Sequence, residues 1–207
     1  MYERTTRASL IARLGDARDE AAWRDFDEQY RELILRYCTR RGLEHWDGED
    51  VRQIVMLGLL GAFRNGFQYR PSLGRFRGYL FRVVQNAIST FRAQKARAKD
   101  PASLESLAKI PLDDSEKDAD WEEEWRHHHL RRALSAIRSR ISEQSLAIFD
   151  RLLEGSSVSQ AAAAFGMSEA AVYKVKQRIK SLLEEQIAAQ IRDEDGLEGP
   201  ASESTGR

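Results

Sequence analysis

The segment FRGYLFRVVQNAISTF, residues 76–91, decides the fold class of this 207-residue chain. Large apolar side chains recur in it at intervals of three and four residues: Phe76, Leu80, Val83, Val84, Ala87, Ile88 and Phe91. This spacing predicts one amphipathic helix, because residues three and four apart share a helix face. The same period runs through the rest of the chain, and no sustained alternation of apolar and polar residues predicts a strand. We therefore predict an all-α protein.

Charge is sorted along the chain although the 33 basic and 33 acidic residues balance. Residues 51–99 carry ten basic side chains and no acidic one, and seven aromatic residues are interleaved with the bases. Basic and aromatic side chains together suit a surface that neutralises phosphates and stacks on exposed bases. The alternative interpretation is a solvated basic face on a helical core.

Composition also divides the chain into modules. Residues 100–125 hold ten acids and two lysines, residues 126–192 hold eleven basic against six acidic residues, and the last fifteen residues are rich in acids, Gly and Ser. This pattern predicts two small helical domains joined by an acidic flexible linker and followed by a disordered acidic tail. The predicted boundaries are 1–98, 99–128 for the linker, 129–190, and 191–207 for the tail.

The first domain is predicted to contain four helices and one distinctive loop. The first two helices run from about Arg7 to Leu14 and from about Glu20 to Thr39. Asp47 is the expected N-cap of a third helix over about 48–64, because a side-chain carboxylate can accept from the free N–H groups of a first turn. A turn-rich loop over 67–75 then precedes the fourth helix.

The second domain carries the sharpest local motif. Ser157 and Gln160 have the spacing of a capping box, Gly166 supplies a left-handed turn, and Ser168 can cap the next helix. These signals predict a helix-turn-helix preceded by a bracing helix over about 143–153. A chance helical hairpin is the alternative. The second helix of the motif, about 169–183, would enter the major groove and present its outward residues to DNA: Ser168, Glu169, Tyr173, Lys174, Gln177, Arg178 and Lys180.

The order of these parts resembles that of an RNA polymerase sigma factor of the extracytoplasmic-function (ECF) subfamily. DGEDVRQ at 47–53 is similar to the family's Asp-Ala-Glu-Asp-Leu-Val-Gln segment, and FRGYLFRVVQN at 76–86 is similar to Phe-x-x-Trp-Leu-x-x-Ile-Ala-x-Asn. Residues 157–180 resemble sigma region four. The resemblance implies a region-two helical bundle in the first domain and a region-four helix-turn-helix in the second.

The resemblance also implies partners and site residues. Core RNA polymerase, through its beta and beta-prime subunits, would bind Asp47, Asp50 and Gln53. The single-stranded non-template strand of the minus-ten element would bind the first domain at Phe67, Tyr69, Arg70, Arg75, Arg77, Asn86, Thr90 and Arg92. Duplex promoter DNA at the minus-thirty-five element would bind the outward residues of the second domain. An anti-sigma factor is a further partner to be considered.

Other functions fit the sequence less well. No nucleophile–base set, paired-carboxylate signature, metal-ligand spacing or cofactor motif is present, so we expect no enzyme, metal or cofactor. The lone Cys38 is expected to be a buried apolar residue, and His127–His129 a solvated helical run. A serine recombinase would need a sheet-bearing catalytic domain. A helix-turn-helix regulator that binds duplex DNA without polymerase remains the main alternative. No segment reaches membrane-spanning length and no signal peptide opens the chain, so we expect a cytoplasmic protein without membrane insertion.

Overall fold

The computed structural model describes residues 10–16, 18–70, 75–99 and 118–195, which form two compact units. Unit 1 comprises 1–126 and 192–207, and unit 2 comprises 127–191. The α-helices are α1 (Leu10–Arg13), α2 (Glu20–Arg40), α3 (His45–Arg64), α4 (Phe76–Lys99), α5 (Ala119–Ile137), α6 (Glu143–Leu153), α7 (Val158–Phe165) and α8 (Glu169–Glu194). Every regular element of the described residues is helical, which confirms the all-α prediction. None of these helices is long and apolar enough to cross a membrane.

Some predicted features lie outside the described residues. These are the start of the first helix at 7–9, the Pro71–Gly74 part of the loop, the linker residues 100–117 and the tail residues 196–207.

The core of unit 1 is formed by α2, α3 and α4. Phe26, Tyr30 and Leu33 of α2 are fully buried, as are Val51 and Val55 of α3. From α4, the residues spaced by three and four that define its predicted apolar face are buried with them: Phe76, Leu80, Val84, Ala87, Ile88 and Phe91. Helices α3 and α4 therefore bury one face each and leave the opposite face to solvent.

The start of α3 differs from the prediction. The helix begins at His45 with Glu44 as N-cap, so Asp47 lies in the first turn rather than at the cap. The Glu44 side chain makes no capping bond, so local capping chemistry does not set this boundary. In this first turn Gly48 packs closely against α2, where a Cβ atom in its place would stand 3.3 Å from Leu35 Cδ2.

The acidic segment is not a flexible linker along its whole length. Helix α5 begins at Ala119, and its first turns pack on unit 1, where Trp121 and Trp125 are 2% and 6% exposed. Arg40 forms ion pairs with Asp120, Glu123 and Glu124 at 3.2, 2.9 and 2.7 Å. The prediction was wrong for residues 119–128 because their acidity is matched by arginines that are distant in sequence, Arg40 of α2 and Arg77 of α4.

The tail prediction was wrong at its beginning. Helix α8 continues to Glu194, beyond the expected end near residue 183, and residues 191–195 are ordered. Glu194 and Asp195 are buried in unit 1.

Unit 2 contains two helices and a turn at the residues predicted for the helix-turn-helix. Ser157 and Gln160 make both bonds of the capping box, with 2.8 Å from Ser157 N to Gln160 Oε1 and 3.2 Å from Gln160 N to Ser157 Oγ. Gly166 ends α7 in the left-handed region at φ 63°, and Ser168 Oγ accepts from the backbone N–H of Ala171 at 3.2 Å. Ile148, Ala161, Ala162 and Val172 form the core between α6, α7 and α8. In α6, Ile148 is buried, whereas Leu153 at the end of the helix is 65% exposed.

Candidate nucleic-acid interface

The solvent face of α4 carries a stripe of basic and polar side chains. Arg75, at the entry to the helix, and Arg82, Asn86 and Thr90 within it are all exposed. Their spacing of seven, four and four residues puts them on one face, opposite the buried face of the helix. We call these four residues the α4 stripe. Two guanidinium groups and two uncharged hydrogen-bonding groups thus lie along one line of the surface.

The α4 stripe keeps its positive charge available. Among the described residues, Arg75 and Arg82 form no ion pair, and the same holds for Arg64 and Arg70 nearby. Because no acidic residue occurs between 51 and 99, no carboxylate close in sequence reduces the positive potential. The stripe can therefore attract phosphates.

Arg77 and Arg92 do not join the α4 stripe. Arg77 lies on the flank of α4 and pairs with Glu122 at 2.5 Å. Arg92 donates a hydrogen bond to the carbonyl oxygen of Arg41 at 2.7 Å. The sequence gives no reason to distinguish these two arginines from Arg75 and Arg82. Their positions along the helix place them on a different face of α4.

The two aromatic residues predicted to stack on bases are half-buried. Phe67 stacks on Tyr79 with ring centroids 4.7 Å apart and planes 12° apart, and Tyr69 meets Phe76 edge-on at 5.6 Å. Burial raises the pKa of the Tyr69 hydroxyl to about 12. Both rings thus close the apolar side of the loop beside α4.

The predicted polymerase-binding residues divide between two faces of α3. Asp50 and Gln53 are exposed on the face opposite the core. Asp47 lies on the flank, where its carboxylate accepts from Lys95 Nζ at 2.6 and 2.7 Å. Two large apolar residues missed in the sequence, Trp46 and Leu57, are 78% and 68% exposed. They share the face of Asp50 and Gln53 at intervals of four, three and four residues.

The residues predicted to bind duplex DNA are all exposed on α8 or at its start. Tyr173, Lys174 and Gln177 are exposed on one face of α8. Ser168 and Glu169 are exposed at its start, whereas Arg178 and Lys180 lie on opposite flanks of the exposed face. Lys180 faces Glu184 at 3.6 Å. Ser168 Oγ acts as the acceptor in its capping bond, so its O–H group can still donate a hydrogen bond to another acceptor.

The cysteine and histidine residues lie away from these surfaces. Cys38 is fully buried, and burial raises the pKa of its thiol to about 12, which favours a structural role. The histidine run is not solvated as predicted, because His128 and His129 are 3% and 2% exposed. Burial, with help from neighbouring positive charges, lowers the pKa of His128 to about 3.

A helix face with exposed arginines, beside a loop with aromatic residues, is typical of a nucleic-acid-binding surface. Residues 26–98 match the family model of sigma-70 region 2, which covers about a third of the chain and contains α3, the loop and the α4 stripe. The chain therefore contains a sigma-70 region 2 domain, and the match supports an RNA polymerase sigma-factor family with roles in promoter recognition. No curated protein matches the chain.

Proposed function

We propose that this protein is an alternative sigma factor of the ECF type. In this proposal it binds core RNA polymerase in the cytoplasm, recognises a promoter and opens its DNA, without catalysing a reaction itself. The observation that carries the proposal is the α4 stripe inside the matched region 2. The exposed arginines there attract the DNA backbone, and Asn86 and Thr90 offer donors and acceptors to the edge of an unstacked base.

Polymerase binding is assigned to α3. Asp50 and Gln53 lie between the exposed Trp46 and Leu57, so the face offers a polar centre with an apolar residue at each end. Burial of exposed tryptophan and leucine side chains by a partner lowers the free energy and so favours binding. The beta-prime subunit is the proposed partner of this face, with Asp47 at its edge. An anti-sigma factor would be expected to compete for it.

Duplex recognition is assigned to unit 2 as a region-four domain. Tyr173, Lys174 and Gln177 would face base edges in the major groove of the minus-thirty-five element, and Arg178 and Lys180 would contact phosphates on either side. The same geometry also favours the second candidate function, a helix-turn-helix regulator that binds duplex DNA without polymerase. Co-purification of core polymerase with the tagged protein distinguishes the two.

Promoter opening is the test of the first candidate. Replacing Asn86 and Thr90 together with Ala should leave the closed complex of the reconstituted holoenzyme intact but reduce thymine reactivity to permanganate on linear promoter DNA. A premelted promoter should restore part of the activity, because the unpairing cost of about a few kcal/mol has then been met. Ser89→Ala, at an exposed residue of the same helix, is the control. Normal permanganate reactivity in the double variant would refute the assignment of the α4 stripe to melting.

A further inference from the structure

Two acidic residues at the C-terminal end of α8 are buried in unit 1. Glu194 and Asp195 are 3% and 8% exposed, although they lie almost a hundred residues beyond the region matched by the family model. Tyr30 donates its hydroxyl proton to Glu194 Oε1 at 2.7 Å, and Gln29 Nε2 lies 3.4 Å from the same oxygen. The backbone N–H of Phe76 donates to Asp195 Oδ1 at 3.2 Å. We call Glu194 and Asp195 the acidic pair.

The acidic pair lies at the point where α4 begins. Phe76 is the first residue of α4, and the N–H groups of a first helical turn have no partner within the helix. Their dipoles favour an anion, and a DNA phosphate satisfies them as well as a carboxylate does. Burial raises the pKa of Tyr69, a residue of the adjoining loop, and the negative charge of Asp195 raises it further. The pair therefore stands beside both parts of the proposed strand-binding surface.

The chemistry of the contact suits a reversible interaction. Moving carboxylates out of water is unfavourable, and the three donors named above are a hydroxyl, a side-chain amide and a backbone N–H, all of them neutral. A DNA strand can offer phosphates to the same N–H groups and also to Arg75 and Arg82, the exposed arginines of the α4 stripe. A strand with several phosphates can therefore bind the N–H groups and the arginines together, and each neutralised phosphate adds to its affinity.

We propose that the acidic pair is an internal competitor of single-stranded DNA, which occupies the start of α4 in the free protein and leaves when a DNA strand binds there. The inference rests on the proposed function, in which the loop and α4 bind the strand. If nine molecules in ten hold the pair docked, the apparent affinity for the strand falls about tenfold below that of the open surface.

The first experiment measures affinity. A labelled single-stranded DNA oligonucleotide of mixed sequence is titrated with the full chain carrying Glu194→Gln and Asp195→Asn. The expected result is about tenfold tighter binding than with the unchanged protein. Glu154→Gln with Glu185→Gln is the matched control, because it removes two exposed acids of unit 2 and changes the net charge equally. The control should change the affinity by less than about twofold, since exposed charges at a distance are screened.

The second experiment measures docking without relying on affinity. In the unchanged protein, backbone amides of 192–195 and Phe76 should exchange slowly with solvent deuterium. Exchange at 192–195 should accelerate when the oligonucleotide is added, because the pair and the strand exclude each other. The variant with both acids of the pair replaced by Ala should exchange quickly at 192–195 in the absence of DNA, and the control variant should not.

The outcomes separate the inference from the function on which it rests. The proposal of competition by the acidic pair would be refuted by two results together. The unchanged protein and the Glu194→Gln, Asp195→Asn variant would bind the oligonucleotide with equal affinity, and exchange at 192–195 would stay slow with saturating DNA. DNA binding itself would then still stand. An affinity that does not change in Arg75→Ala with Arg82→Ala would instead overturn the assignment of the strand to the α4 stripe. An equal gain in the matched control would show that net charge alone explains the effect, and would also overturn the competitor.

Discussion

Replacing Trp121 with Ala should destabilise unit 1 strongly, although Trp121 lies outside the matched region 2. Its side chain is 2% exposed and its ring lies 5.1 Å from that of Tyr37 and 5.5 Å from that of Phe81. Truncation of a buried tryptophan costs about 3 to 5 kcal/mol, because apolar contact is lost and a cavity remains. The edge-on contact with Tyr37 contributes about 0.5 to 1.5 kcal/mol of the loss. Domains have total stabilities of about 5 to 15 kcal/mol, so unit 1 should lose at least about a fifth of its stability.

The measurement is urea unfolding followed by tryptophan fluorescence. All four tryptophans lie at or before residue 125, so the signal reports on unit 1 and not on unit 2. Trp121→Ala should lower the urea midpoint without changing the slope of the transition. Trp46→Ala is the control, because that side chain is 78% exposed and its loss should cost less than about 0.5 kcal/mol. Equal midpoints for Trp121→Ala and the unchanged protein would refute the assignment of the acidic segment to the core of unit 1.

Three further predictions concern the other surfaces. Asp50→Arg should abolish holoenzyme formation, measured by co-elution with core polymerase, because it reverses a charge at the centre of the exposed face of α3. Gln177→Ala and Lys174→Ala should each alter sequence preference in transcription from promoters randomised upstream, with about 1 to 3 kcal/mol lost for each base contact removed. The free energy of unfolding of unit 2 should decrease by up to about 1.4 kcal/mol for each pH unit below about 6.5, because the pKa of buried His128 lies well below that of an unfolded histidine.

Each of these predictions has a matched control. Glu28→Arg reverses an exposed acid on α2 and should leave polymerase binding unchanged. Arg151→Ala removes an exposed charge from α6 and should leave sequence preference unchanged. For the pH dependence, the stabilising effect of neutral His128 is fully present above pH 6.5 and is lost as the pH falls. His128→Asn should therefore flatten the decrease, whereas His127→Asn, at the exposed neighbour, should not. An unchanged pH slope in His128→Asn would contradict the prediction.

The parts of the fold that sequence predicted well are those whose causes are local. The capping box of Ser157 and Gln160 and the left-handed Gly166 depend on neighbours within a few residues, and the structure has both as predicted. The buried face of α4 follows in the same way from a periodic pattern. Such features can be predicted because the residues that form their hydrogen bonds and their apolar faces all lie within one short segment of sequence.

The features that sequence missed depend on distant partners. Trp121 and its acidic neighbours were assigned to a linker because their composition is polar, yet Arg40, which pairs with three of these acids, lies about eighty residues earlier. Glu194 was assigned to a disordered tail, while its partner Tyr30 lies 164 residues away. Burial of charge is favourable only when donors are supplied from elsewhere in the fold, and composition does not reveal them.

The short helix α7 has a consequence for how this protein can change. Both of its ends are fixed by its own chain, through the Ser157 capping box and Gly166, and its buried contacts are made by Ala161 and Ala162. The side chains that α8 turns outward, such as Lys174 and Gln177, take no part in that packing. If α8 binds duplex DNA as proposed, substitutions at these outward positions should alter sequence preference at little cost in folding free energy. Under that proposal, surface mutation alone can give this scaffold new binding sites along a genome.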